Sequence, residues 1–160
     1  MDIHDAIRSQ YLAALEMLKQ PVLVCPEDMW NDPADHNRTW YVAFHALFFT
    51  HLYLQDKEED FQPRAGLSED DLEAGGRVLS RAEVLDYLSF CQALVNERVP
   101  RLRLDAPAGF HWHHFDKLEL QIYSIRHIQQ HAGELMGRVG ARVPIELDWV
   151  SVAPDRPRHS

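Results

Sequence analysis

The stretch TWYVAFHALFFTHLYLQ, from Thr39 to about Gln55, is apolar nearly all the way round a helix. A helix without a polar face must be covered on every side, so the rest of the chain has to supply its neighbours. Three other segments carry the spacing of three and four residues that gathers apolar side chains on one helical face. The first runs from about Ile3 to Gln20, with Ile7, Tyr11, Leu15 and Leu18 on its stripe and Pro21 expected to end it. Another opens with a capping-box pattern, Ser80-Arg81-Ala82-Glu83, and continues through Val84, Leu85, Leu88, Cys91 and Val95 to Pro100. The last begins near Phe115, passes through Leu118, Ile122, Ile125, Ile128, Leu135 and Met136, and stops at Gly140. Thr39 is the expected N-cap of the apolar helix. Together these segments predict an all-α four-helix bundle over residues 1–144, with 145–160 as a tail laid over it. The connections, roughly 21–38, 57–79 and 101–114, are each long enough to recross such a bundle, so loop length leaves open which neighbours are parallel. In the second of them, Ser68 to Leu72 reads as an added helical turn.

Composition narrows the function classes. The 160 residues, 46% of them hydrophobic, suit one domain with a sizeable core. Twenty-five acidic side chains against sixteen basic ones leave a net charge of -9, which repels phosphate backbones and argues against a nucleic-acid partner. Two cysteines, Cys25 and Cys91, are too few for a disulfide framework, and a reducing, cytoplasmic compartment is expected. Cys91 reads as a core residue rather than a nucleophile. The N-terminal segment lacks the pattern of a secretory signal, and no run of about 18 apolar residues predicts a membrane span. A GxSxG elbow, a glycine-rich phosphate loop with lysine, HExxH and CxxC are all absent from the sequence.

The remaining chemistry lies in ten histidines. His127 and His131, four residues apart in RHIQQHAGEL, fall one turn apart on one helical face, where two imidazoles can share a metal ion. Spacing alone does not separate such a site from a packed pair, because ten histidines in this length make a chance pair common. His45 adds an independent observation: a polar ring inside VAFHALFF needs a partner, either a hydrogen-bonding group of the core or a metal shared with the pair. Three imidazoles from two facing helices make a mixed site with open positions, of the kind used by catalytic zinc, nickel or iron. His51, six residues beyond His45, turns away from that face and reads as peripheral. His111, His113 and His114 form a rival cluster before the last helix, while His4, His36 and His159 carry no signal. Glu134 lies on the stripe of His127 and His131, as a fourth ligand, an acceptor for an imidazole N–H, a catalytic acid or base, or an exposed carboxylate. Gly133 beside it suggests close approach of a backbone or bound group, unless packing alone accounts for it.

VAFHALFFTHLYL together with IRHIQQHAGELMGRVG resembles the DinB-like (DinB/YfiT) superfamily, over essentially the whole bundle. The resemblance implies up-down-down-up connectivity, with a long crossover between the second and third helices, and frequent dimers. It also implies a divalent metal, zinc or nickel foremost, held by His45, His127 and His131. Relatives of that kind include thiol transferases acting with low-molecular-weight thiols, so thiol transfer or metal-assisted hydrolysis on a small molecule is expected, with a non-catalytic dimeric metal-binding or stress-response protein as the alternative. This chain carries Glu134 where that pattern often has Gln.

Overall fold

The computed structural model describes residues 2–68, 72 and 77–155, and these are all-α. Five helices are present among them: α1 (Ile3–Val24), α2 (Glu27–Trp30), α3 (Thr39–Tyr53), α4 (Arg81–Arg98) and α5 (Lys117–Gly140). Short 3-10 turns occupy Glu58–Asp60 and Val99–Arg101, and among the described residues there is no strand, only an isolated antiparallel bridge between Pro107 and Asp116. The added turn expected at Ser68 to Leu72 lies mostly outside the described residues.

α3 takes the buried position that its sequence demands. It packs against both α4 and α5, and each of these also packs against α1. Phe44 and Leu47 of α3, Leu15 and Leu18 of α1, Leu88 of α4, and Ile128 and Leu135 of α5 meet in one core and are essentially inaccessible to solvent. Each such side chain contributes about 1.5–3 kcal/mol by leaving water. Cys91 belongs to this core, as expected.

Helix boundaries follow local hydrogen bonding. Ser80 and Glu83 form the reciprocal capping box that the sequence predicts for α4. α1 runs through Pro21 to Val24 instead of stopping there: proline removes one donor, but the fully buried Val22 keeps the last turn on the core. Arg38, not Thr39, occupies the N-cap of α3, and buried Thr39 is its first helical residue. α5 starts at Lys117 rather than Phe115, because Asp116 caps it by accepting from the Glu119 N–H at 2.8 Å while Phe115 offers its carbonyl to Ala108 N.

The buried face of α5 also differs from the expected stripe. Ile122 is half exposed, and Gln121 and Ser124 are buried in its stead. Gln121 is tolerated there because it is paired: the Tyr11 hydroxyl of α1 donates to Gln121 Oε1 at 2.8 Å. Burial of that phenol raises its pKa. The tail crosses α1 without regular structure, held by mutual bonds between Gln20 and Asp148 at 2.9 and 2.7 Å and by Ala153 N to Ser9 Oγ at 3.1 Å.

The connection before α5 folds back on the end of α3. Buried Lys117 donates to the carbonyls of Gln55, Asp56 and Ala108, and burial lowers its pKa to about 8. Gly109 sits at the crossing with φ +87°, and a Cβ there would stand 2.2 Å from the Asp56 carbonyl oxygen. Gly109→Ala is expected to cost about 2 kcal/mol or more, through the left-handed backbone and the clash together, measured as a loss of urea-unfolding free energy.

Candidate metal centre

Burial of α3 fixes where His45 can point. Its ring lies against Phe49 at a centroid distance of 4.8 Å and 5.0 Å from each of the rings of His127 and His131. His127 and His131, one turn apart on α5, have ring centroids 4.6 Å apart. The Nε2 atom of His127 is 3.2 Å from Nε2 of His45 and 3.1 Å from Nε2 of His131. These three residues form the one group among the described residues whose histidine, cysteine or carboxylate atoms converge closely enough to hold a metal ion.

The donor set fits such an ion. Four donors placed tetrahedrally about 2.0–2.1 Å from one ion stand about 3.3 Å apart, close to the separations seen here. Hydrogen bonding alone satisfies the trio poorly, because Nε2 of a neutral imidazole carries either one proton or one lone pair. His127 Nε2 cannot donate to one neighbour while accepting from the other. A cation accepting a lone pair from each ring would satisfy all three at once.

Side chains around the trio set its protonation. His131 Nδ1 lies 3.2 Å from Glu134 Oε2. A carboxylate only accepts, so the proton belongs on Nδ1 and the lone pair on Nε2, facing the other rings. Glu134 Oε1 accepts from Arg138 at 3.0 Å. Arg138 in turn reaches the Asn37 carbonyl at 2.8 Å and Asp35 at 3.2 Å, tying α5 to the segment entering α3. Nδ1 of His127 is buried and has no partner. Burial, reinforced by His131 and His45, lowers the His127 pKa to about 4, so its ring stays neutral. Beside it lies a cavity of about 360 Å³ lined by Tyr123, Arg126, His127, Gln129 and Gln130.

The other histidines take separate places. His51 is buried, not peripheral: its Nδ1 meets the Tyr87 hydroxyl at 3.1 Å, and its ring packs on Phe61 and Phe90. The rival cluster is split, His111 pairing with Glu58 at 2.8 Å and His113 stacking on Phe115 while its Nε2 contacts the Tyr53 hydroxyl at 3.2 Å. His159 lies outside the described residues. Gly133 does not mark a close approach, since a Cβ there would meet nothing within 4 Å. Sequence reasoning missed Arg138, although its i,i+4 spacing from Glu134 was the available signal. Asp35 and the cavity gave none.

No family model, curated protein or solved structure matches this chain.

Burial lowers the pKa of His51 to about 4, against about 6.5 for an unfolded histidine. Between those values the unfolded chain binds more protons, so His51 and His127 make stability rise with pH from about 4 to about 6.5 and fall as pH drops through that window. Metal-free protein is expected to show this slope in urea unfolding, with the His51 ring still neutral by NMR at about pH 5.

Proposed function

We propose that the protein is a metal-dependent enzyme of the DinB-like class, using His45, His127 and His131 as ligands and acting on a small molecule by thiol transfer or, second in preference, metal-assisted hydrolysis. The observation that carries the reading is the convergence of three Nε2 atoms, with neighbours 3.1 and 3.2 Å from His127 Nε2, beside a cavity of about 360 Å³. With it come the finer expectations of that class: a four-helix bundle of up-down-down-up connectivity, a long crossover between α3 and α4, a homodimer and a cytoplasmic setting. Among the described residues no helix is long and apolar enough to cross a membrane. The net charge of -9 weighs against nucleic acid as a partner.

Zinc or nickel, both suited to imidazole ligands, would supply Lewis acidity and lower the proton affinity of a thiol or water sharing the site. Residues of the chain do the remaining work. His127 stays neutral because it is buried, and so keeps its donor atom available. Glu134 acts as a positioning residue: its oxygens are engaged by His131 Nδ1 and Arg138, which orients the imidazole. Phe49 and Tyr123 place their rings against the histidines.

Protein purified without a histidine tag is expected to carry about one zinc or nickel ion per chain by mass-spectrometric metal analysis. His127→Ala combined with His131→Ala should abolish that content; undiminished metal would sink the assignment. Glu134→Ala is expected to weaken metal affinity about 10- to 100-fold while leaving the helical circular dichroism intact. For the reaction, low-molecular-weight thiols mixed with electrophiles should show a rate that disappears on chelation. A fully loaded protein without such a rate would favour a non-catalytic metal-binding dimer.

A further inference from the structure

Arg126 is the exception to a pattern that runs through the molecule. Every other arginine among the described residues holds a carboxylate or a backbone carbonyl. Arg126 holds neither. It lines the open cavity beside His127, exposed to solvent and without a carboxylate on a chain of net charge -9. Gln130 lines the same cavity one turn further along α5, and its exposed side-chain amide likewise makes no hydrogen bond among the described residues. The neighbouring Gln129 differs, its amide donating to Met17 Sδ at 3.3 Å.

We infer that Arg126 and Gln130 form a carboxylate-binding subsite that orients a small carboxylic acid beside the three histidines. Residues four apart on a helix stand about 5–6 Å apart at Cβ, close enough for both side chains to donate to one planar anion. A guanidinium matches the two oxygens of a carboxylate with two parallel N–H bonds, and the Gln130 amide adds a further donor to either oxygen. The cavity, about 360 Å³, admits a small molecule. A phosphate monoester is a poorer fit: these residues lie mid-helix, so no helix N-terminus faces the cavity, and its lining contains a single cation. The inference rests on the proposed metal centre for where chemistry would occur, but the anion contacts themselves involve none of the proposed ligand atoms.

The test uses full-length protein whose zinc content has been measured, titrated with succinate, neutral succinamide and inorganic phosphate. Binding is followed by calorimetry and by the Nε–H resonance of Arg126. Succinate is expected to shift that resonance saturably, succinamide is not, and Arg126→Gln should weaken succinate about tenfold or more with an unchanged melting temperature. Three outcomes overturn the inference: succinate affinity retained in Arg126→Gln, which would put the acid on the metal or elsewhere; phosphate binding as tightly as succinate; or no succinate binding by fully loaded protein. Failure of the protein to take up zinc would instead refute the metal centre, and the Arg126 resonance would still report on the subsite in metal-free protein.

Discussion

Three imidazoles turned inward on one another leave a hydrogen-bonding conflict at their centre. Each Nε2 has room for one proton or one lone pair, yet His127 Nε2 has two neighbours at 3.2 and 3.1 Å. His127 Nδ1 is also buried without a partner, a cost that native interiors rarely carry without a compensating role. The surroundings accept this arrangement and reinforce it: burial holds His127 neutral, and Glu134 fixes the proton of His131 on the far nitrogen. A shared cation would resolve the conflict that hydrogen bonding leaves.

The scaffold keeps the rings together because the helices carrying them cannot rotate independently. α3 is buried on nearly every side, so turning His45 outward would drag Phe44 and Leu47 through the core. α5 is registered on α1 by the buried bond from Tyr11 to Gln121 and on the segment before α3 by Arg138. Lys117 and Gly109 anchor the start of α5 on the far end of α3. The site is thus clamped on both sides along α5, which favours a preorganised set of donors over one assembled on binding.

Much of this was legible in the sequence where a local rule governs. The apolar run around His45 announced a buried helix, the Ser80 box announced the start of α4, and the spacing of His127 and His131 put two rings on one face. Legibility failed where long-range contacts decide. Nothing local shows that Gln121 and Ser124, rather than Ile122, face the core, because that depends on Tyr11 more than a hundred residues away. His51 looked peripheral because its angle from His45 is large, but a helix covered all round buries every angle. Gly133 suggested a close approach that the structure does not contain, and Arg126 stands out only once the other arginines are seen to be paired.

The convergence of the rings is tested most directly by crystals grown with zinc and measured on both sides of the zinc absorption edge. A single strong anomalous peak about 2.0–2.1 Å from Nε2 of His45, His127 and His131 is the predicted result. A peak confined to another pair, such as His111 with Glu58, or none at the three rings despite zinc in solution, would contradict it.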